Sequence, residues 1–315
     1  MKKEVFSFAS AHAGKEIHAV CYRPSNTSEI KGLVQIIHGF SEHIGRYDSF
    51  MTLLANKGYI VFGDDHLGHG LTAKNNKMPY SDVGSYEAFD YLLQDEKQLN
   101  KLVRQKFNTQ TNTNQLPCYI LGHSMGSLML RALLIQEPDI CDKAIIMGTG
   151  DMKLALLTIF KGILKLYGLF RKGQYKSKLI NFIAIGSNNL PFKNEKNPNA
   201  WLSANLENQA NYRKDDSTGK MGSLHTFSFL QELMYFVRIE ENLKRMNKDL
   251  PILFVSGQDD AFGDFGKGVE NVYQLFEEVG MKEIDLILYP NFRHEILNEK
   301  DNEQVVRDLL NFLDR

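Results

Sequence analysis

Residues 116–128 read LPCYILGHSMGSL, a short apolar run that passes directly into a helical pattern. The apolar residues 118–121 predict a buried strand, and residues 125–136 (MGSLMLRALLIQ) have helical spacing that ends before Pro138. A strand followed at once by a helix is typical of the repeating unit of α/β proteins. The stretch therefore indicates an α/β protein.

A serine between two glycines marks the junction of that strand and helix. Gly122, Ser124 and Gly126 form the pattern G-x-S-x-G. A nucleophile on so sharp a turn needs small residues two positions to either side, because a Cβ there would clash with the adjacent strand and helix. The turn also places Ser124 at a helix N-terminus, where backbone N–H groups face a developing oxyanion. Ser124 is therefore a candidate nucleophile.

Three other predicted strands also end in polar residues. Residues 33–40 (LVQIIHGF) contain His-Gly at the strand end, residues 251–260 (PILFVSGQDD) end in two carboxylates, and residues 284–294 (IDLILYPNFRH) end in a histidine. The order along the chain is serine, then acid, then histidine. Four such segments in this order would rarely occur together by chance in one chain.

Five stretches of the chain match motifs that occur together in one enzyme superfamily. They are residues 38–43 (HGFSEH) followed by 45–47 (GRY), 65–70 (DHLGHG), 122–126 (GHSMG), 257–260 (GQDD) running into 263–268 (GDFGKG), and 289–299 (YPNFRHEILNE). With these residues the chain resembles the monoglyceride lipase and lysophospholipase branch of the α/β-hydrolase superfamily, which overlaps with sequences described as serine aminopeptidase-like. The order serine, acid, histidine is also that of the superfamily.

The resemblance implies a role for each candidate catalytic residue. Ser124 would attack an acyl carbonyl, His294 would accept its proton, and Asp260 would hold the imidazole tautomer. The backbone N–H groups of Phe40 and Met125 would bind the oxyanion. Phe40 stands where the family often has alanine, so its bulk bears on the width of the acyl pocket.

The acid is one of three aspartates that follow the same predicted strand. Matching Gly257-Gln-Asp-Asp to the Gly-x-x-Asp of the family selects Asp260. Asp259 is a lesser candidate, and Asp264 lies further into the loop.

Alternating strands and helices predict the architecture. Strands separated by helices indicate a mostly parallel sheet flanked by helices on both faces, here with the α/β-hydrolase fold that the resemblance implies. The alternation breaks between about 150 and 235. We expect a core of residues 1–150 and 236–315 and a helical cap, or lid, of residues 151–235. The polar segment 108–115 (NTQTNTNQ) predicts a surface loop.

Residues 154–170 (LALLTIFKGILKLYGLF) predict an amphipathic helix at the start of the cap, with lysines largely opposite its apolar face. One interpretation is a helix that touches lipid surfaces and lines an acyl-chain entrance, which implies peripheral membrane contact. The other is a helix that only packs onto the core. The candidate substrate-binding residues of the cap are Leu157, Ile163, Met221, Leu224 and Phe227.

Composition excludes several classes of partner and location. The 315 residues contain 37 Lys and Arg against 38 Asp and Glu, so no global basic field recruits nucleic acid. The N-terminus alternates apolar and polar residues, which predicts a strand and not a signal peptide. No apolar run is long enough for a membrane span. Three cysteines in apolar segments predict buried thiols and a cytoplasmic protein.

Two histidines invite a metal interpretation. His66 and His69 lie on a loop broken by glycine, and the sequence shows no third ligand at metal spacing. We expect a structural role for both, no metal site and no cofactor.

Three functions are open at this point. The first is a serine carboxylester hydrolase that acts on monoacylglycerols, lysophospholipids or similar acyl esters. The second is an amide hydrolase of aminopeptidase type, for which Glu207, Asp215 or Asp216 would hold the free amine of the substrate. The third is a catalytically silent binding module, which the presence of Ser124, His294 and an acid disfavours.

Overall fold

The computed structural model describes residues 1–25, 30–111 and 115–315, and within them the chain forms eight strands. The strands are β1 (Lys2–Ala9), β2 (Glu16–Arg23), β3 (Gly32–Ile37), β4 (Tyr59–Asp65), β5 (Cys118–His123), β6 (Lys143–Met147), β7 (Ile252–Gly257) and β8 (Ile284–Tyr289). The α-helices are α1 (Asp48–Asn56), α2 (Gly70–Asn75), α3 (Ala88–Thr111), α4 (Met125–Gln136), α5 (Leu154–Phe170), α6 (Lys178–Ala184), α7 (Leu206–Lys214), α8 (Leu224–Phe236), α9 (Glu240–Leu243), α10 (Lys267–Glu278) and α11 (Glu303–Asp314). Short 3₁₀ helices cover Ile44–Tyr47, Gly186–Glu195, Ala200–Leu202 and Ile296–Asn298.

The strands form one sheet in the order β1-β2-β4-β3-β5-β6-β7-β8. The β1–β2 and β2–β4 pairs are antiparallel, and every later pair from β4–β3 to β7–β8 is parallel. Strands β3, β5 and β7 are buried along their whole length, as expected for apolar strands covered on both faces. The predicted α/β-hydrolase fold class is therefore confirmed.

Helices cover both faces of this sheet. One hydrophobic cluster joins one face to α3, α4, α8 and α10, and a second joins the other face to α1 and α11. Because the parallel strands point the same way, the loops after β3, β5, β7 and β8 emerge along one edge. That edge carries the candidate site.

A mainly helical segment, α5 to α9, lies between β6 and β7. The predicted helix over 154–170 has the bounds that the sequence indicated. The buried guanidinium of Arg131 on α4 donates to the backbone oxygens of Gly150, at 3.3 Å, and Val237, at 3.2 Å. These bonds hold close together two residues that flank the predicted cap, 151–235, whose boundaries stay a prediction. Within the described residues, no helix is long and apolar enough to cross a lipid bilayer.

The structure corrects the surface loop predicted over 108–115. Helix α3 continues to Thr111, while residues 112–114 lie outside the described residues. The polar side chains here bond to nearby backbone and do not break the helix: Thr109 Oγ1 donates to the Gln105 oxygen at 2.9 Å, and Asn108 Oδ1 accepts from the Leu116 N–H at 3.0 Å. No glycine or proline stands in this part of the helix to end it earlier.

Candidate active site

Ser124 occupies the turn between β5 and α4 with φ 54° and ψ −118°, a conformation that L-residues rarely adopt. Its N–H donates to the backbone oxygen of Met147 on β6 at 3.0 Å, which holds the turn against the neighbouring strand. The strained backbone lifts the serine to the edge of the sheet, where its side chain lines two cavities.

Close packing explains the two glycines around Ser124. A Cβ on Gly122 would lie 2.3 Å from the backbone oxygen of Gly126, and a Cβ on Gly126 would lie 2.1 Å from the backbone oxygen of Ile37 on β3. Both distances are too short for any side chain. The G-x-S-x-G pattern is therefore a requirement of the strand–turn–helix packing, as the sequence predicted.

Asp260 and His294, from the loops after β7 and β8, are hydrogen-bonded to each other. His294 Nδ1 lies 2.8 Å from Asp260 Oδ2, and both side chains are buried. Asp260 Oδ1 also accepts the N–H of Phe262 at 2.9 Å, and Oδ2 accepts from Ser256 Oγ at 3.3 Å. Because a carboxylate only accepts, the imidazole proton lies on Nδ1 and Nε2 is free to act as a base.

The three candidate acids differ in position. Asp260 is completely buried against His294, whereas Asp259 is half-buried and Asp264 is exposed. Among the described residues, the carboxylate that contacts His294 is that of Asp260. The geometry supports Asp260 as the acid, and its catalytic role stays a prediction.

Two aromatic residues that were not predicted as site residues enclose the histidine. The ring of Trp201 lies 4.9 Å from that of His294 at 37°, and the ring of Phe262 lies 5.4 Å away at 71°. Phe262 follows Asp260 by two positions, and this closeness in sequence could have indicated that it lies at the site. Trp201 comes from the helical segment, and no spacing along the chain connects it to His294.

The loop after β3 passes directly over Ser124. A Cβ on Gly39 would lie 3.0 Å from the Ser124 Cβ, so the glycine allows the close approach. The Gly39 N–H donates to Glu42 Oε1 at 2.6 Å, which holds the peptide between His38 and Gly39. The ring of Phe40 turns toward Phe227 on α8, at 5.9 Å. The oxyanion role of the Phe40 and Met125 N–H groups stays a prediction.

His123, beside the nucleophile, connects the loops of the site. Its Nδ1 lies 3.0 Å from Glu42 Oε1, and its Nε2 lies 3.2 Å from the backbone oxygen of His294. The Tyr47 hydroxyl also lies 2.9 Å from Nδ1. Burial alone would lower the pKa of His123, but the hydrogen bond and charge of Glu42 outweigh burial, and the pKa is raised. His123 therefore joins the loop after β3 to the loop that carries His294.

A cavity of about 480 Å³, lined by both polar and apolar side chains and called the polar cavity below, opens at Ser124. His294, Trp201 and Phe262 line it, together with the polar residues Glu42, Asn181, Asn189, Asn199, Lys220 and Glu295.

An apolar cavity of about 260 Å³ also opens at Ser124. Its wall consists almost entirely of apolar side chains from α4, α5, α6 and α8. Ser124, Phe40, Ile185 and Phe262 line both cavities, so the two spaces meet at the serine.

The structure separates the five predicted cap residues into two groups. Leu157, Ile163 and Phe227 line the apolar cavity. Leu224 instead packs into a small cluster inside the helical segment, and Met221 is 37% exposed. Among the described residues, neither of these two belongs to the wall of the cavities at Ser124, because α8 directs Leu224 into the cluster and Met221 precedes that helix.

Comparisons with known proteins agree with this geometry. The monoglyceride lipase of Mus musculus is 25% identical over 290 residues, which cover 91% of this chain and 82% of the mouse protein. A monoglyceride lipase homolog of monkeypox virus is 31% identical over 118 residues, and the aligned part covers 38% of either chain. The crystal structure of a thermostable carboxyl esterase from Bacillus coagulans, in complex with glycerol, superimposes with a TM-score of 0.86 at 25% identity and covers 99% of both chains.

The family model described as serine aminopeptidase, S33, matches residues 28–301. That match spans most of the chain and includes the segments that carry Ser124, Asp260 and His294. The predicted resemblance is therefore confirmed, and the chain belongs to the serine aminopeptidase S33 family, as a serine hydrolase in the monoglyceride lipase-like branch of the α/β-hydrolases.

Proposed function

We propose that the protein hydrolyses esters of a long acyl chain with a small polar alcohol, of the monoacylglycerol or lysophospholipid type. The observation that carries this proposal is the meeting of two cavities at Ser124, one almost entirely apolar and the other lined by polar as well as apolar side chains. An ester whose carbonyl lies at the serine would place its acyl chain among the apolar side chains and its alcohol among the polar ones. The names of the mouse and Bacillus coagulans relatives agree with this class of substrate.

The site residues support a two-step mechanism. Ser124 Oγ attacks the acyl carbonyl while Nε2 of His294 takes its proton, and Asp260 stabilises the resulting imidazolium. The N–H groups of Phe40 and Met125 bind the oxyanion of the tetrahedral intermediate. His294 returns the proton to the leaving alcohol, and water then attacks the acyl-enzyme with His294 again as the base. The side chains present suffice for these steps.

Paired carboxylates favour an ester over an aminopeptidase substrate. Among the described residues, Glu42 and Glu295 are the carboxylates that line the polar cavity, and both already bind Arg46, at 2.9 Å and 2.5 Å. Asp215 binds His43 at 2.7 Å. Glu207 and Asp216, the other acids considered for amine binding, are exposed and do not line the cavity. A free α-amine would therefore meet no unpaired carboxylate beside Ser124.

Exposed apolar side chains support peripheral membrane contact through the cap. On α5, Leu169 is 78% exposed and Phe170 is 76% exposed, although a helix that only packs would bury such residues. Leu179 and Phe182 on α6 are about half exposed as well. We propose that this face meets the lipid surface from which substrate enters the apolar cavity. A cytoplasmic location stays a prediction, which the three buried free thiols of Cys21, Cys118 and Cys141 support.

A panel of esters tests the proposed substrate class. We expect kcat/KM to rise with acyl length while each added CH₂ enters the apolar cavity, by up to about 0.8 kcal/mol of transition-state binding per CH₂. Monoacylglycerol and lysophospholipid with the same acyl chain separate the two head groups, and aminoacyl anilides serve as the amide arm. Equal rates from acetate to long-chain esters, or faster cleavage of the anilides, would contradict the proposal. Labelling by a fluorophosphonate probe, absent in Ser124→Ala, excludes a silent binding module.

A further inference from the structure

Three buried side chains lie together behind the oxyanion loop. Asp64, His66 and Glu96 come from the end of β4 and from α3, and each is about 1% exposed or less. His66 Nδ1 lies 3.2 Å from Asp64 Oδ1 and 3.0 Å from Glu96 Oε1. Asp64, His66 and Glu96 are a group whose donor atoms are close enough to hold one metal ion. We call them the β4–α3 cluster.

The tautomer of His66 follows from its other nitrogen. Nε2 lies 3.2 Å from the backbone oxygen of His38, which can only accept a hydrogen bond, so Nε2 carries the proton. In a neutral imidazole, Nδ1 then has a lone pair directed at the two carboxylates. A positive species, either a second proton or a metal ion, has to lie between Nδ1 and the carboxylate oxygens.

Hydrogen-bond geometry favours the metal ion over the proton. His66 Nδ1, both oxygens of Asp64 and Glu96 Oε1 are buried and, among the described residues, have no hydrogen-bond partner of acceptable geometry. A proton on Nδ1 would leave the second oxygen of Asp64 without a donor, at a cost of about 1–3 kcal/mol. A cation between the three side chains would be bound by all four atoms.

The remaining polar atoms of the β4–α3 cluster have the partners that metal ligands usually have. His66 donates through Nε2 to a backbone oxygen, and Glu96 Oε2 accepts from Gln35 Nε2 at 2.8 Å. Gln35 is held in turn by Asn100, whose Nδ2 donates to Gln35 Oε1 at 2.8 Å. Such outer contacts fix the tautomer of a ligating histidine and orient a ligating carboxylate.

Charge balance also calls for a cation. With neutral His66, the cluster carries two carboxylates, and both are buried. A divalent ion would neutralise both carboxylates. One imidazole nitrogen with carboxylate oxygens suits a transition metal such as Zn²⁺ or Mn²⁺ better than Ca²⁺ or Mg²⁺, which prefer oxygen ligands alone.

We propose that Asp64, His66 and Glu96 bind one divalent transition-metal ion, with zinc as the first candidate. Each of the three side chains offers one donor atom, and zinc is bound by three protein ligands in many sites. The ion would act on the site through His38, whose ring stacks on His66 at 3.7 Å and which precedes Gly39 of the oxyanion loop. It is thus a structural ion, and the proposal does not depend on which ester the enzyme cleaves.

Metal binding to the protein of 315 residues tests the proposal. The protein is stripped with a chelator, dialysed, and titrated calorimetrically with ZnCl₂ and, separately, MnCl₂. We expect one ion per chain and a higher Tm in its presence. Asp64→Asn and Glu96→Gln should abolish both effects, and Gln35→Met should weaken binding by roughly 10- to 100-fold.

A neighbouring carboxylate provides the matched control. Asp95 is buried on the same helix, but its oxygens accept from Ser10 Oγ at 2.7 Å and the Ala11 N–H at 2.6 Å. Asp95→Asn should therefore keep stoichiometric binding. Absence of zinc and manganese binding by the unmodified protein would overturn the proposal even if a variant failed to fold. Unchanged binding in Asp64→Asn and Glu96→Gln would overturn it as well.

Discussion

Ser124 combines two constraints in one residue, because its backbone must be strained and its side chain must face both cavities. The φ of 54° is held by the hydrogen bond from its N–H to Met147 and by the packing of α4 on β3. The side chain itself contributes little to that packing. Removing the hydroxyl should therefore affect chemistry and leave the fold intact.

The first prediction follows from this separation. Ser124→Ala should fold like the parent protein and lose hydrolysis by several orders of magnitude, and His294→Ala should do the same, because each removes one half of the proton transfer. The double variant should be little worse than either one, since the residues act as a unit. Single-turnover rates with a chromogenic ester measure this. Activity near that of the parent in either single variant would refute the assignment.

The second prediction concerns the acid. Asp260→Asn keeps the shape but can donate to His294 Nδ1, which stabilises the wrong imidazole tautomer, so the rate should fall by roughly 10⁴-fold. Asp259→Asn is the matched control, because Asp259 is the half-buried neighbour of Asp260 and does not bond to His294. The effect of this variant on the rate should be small. If the order of the two effects is reversed, the acid is Asp259.

At the scale of elements, the fit of α4 against the sheet can be tested through two glycines on helices. Gly126→Ala would place a Cβ 2.1 Å from the Ile37 oxygen, which is overpacking, and should lower the free energy of unfolding by about 1–3 kcal/mol. A Cβ added to Gly162 on α5 would meet no neighbouring atom within 4 Å, so Gly162→Ala should raise the free energy of unfolding by up to about 1 kcal/mol. Urea midpoints measure both changes. A stable Gly126→Ala would contradict the packing argument.

The sequence predicted regular elements well where one local pattern decides them. The bounds of α4 and α5 agree with the predicted ones, because apolar periodicity and flanking signals such as Pro138 act within a few residues. The loop predicted over 108–115 was wrong at its start, where α3 continues to Thr111, because a polar composition does not by itself break a helix. Composition indicates solvent exposure, while the backbone state depends on hydrogen bonds that the composition does not show.

Helix α5 permits a test of the apolar cavity. Ile163→Ser removes a wall residue that only a long acyl chain reaches. The transition-state binding free energy of long-chain esters, measured through kcat/KM, should weaken by about 1–3 kcal/mol, while that of acetate esters should be nearly unaffected. Leu164→Ser is the control, because Leu164 is buried inside the helical segment and does not belong to the wall of either cavity. Leu164→Ser should lower the stability of the fold, and its effect on kcat/KM should be the same for short and long esters. Equal losses on short and long esters in Ile163→Ser would favour a helix that only packs.

At the scale of the whole molecule, the sequence predicted candidate catalytic residues but not the spaces around them. The motifs selected Ser124, Asp260 and His294 as candidates because each follows a strand at a fixed place. The cavities depend on segments far apart in the chain, such as Phe40, Ile185 and Phe262, which meet only after folding. Likewise, Glu96 joins His66 only because α3 packs beside β4, so spacing along the chain could not reveal the β4–α3 cluster.

The last prediction concerns the docking of the molecule on lipid. Leu169→Ser and Phe170→Ser should weaken binding to vesicles and hydrolysis of vesicle-borne substrate by about 1.5–3 kcal/mol each, because each removes a side chain that enters the interface. Hydrolysis of a soluble ester should not change. Lys161 and Lys165 on α5 should matter only with anionic vesicles, and added salt should remove that effect.

The matched control for docking is Leu206→Ser on α7, since Leu206 is 72% exposed but lies outside α5 and α6. Co-sedimentation with vesicles and rates on vesicle-borne monoacylglycerol measure the three variants side by side. If Leu206→Ser lost as much binding as Phe170→Ser, the contact would be a general effect of exposed apolar residues. A selective loss in Leu169→Ser and Phe170→Ser would place the lipid surface against α5, a helix that also lines the apolar cavity.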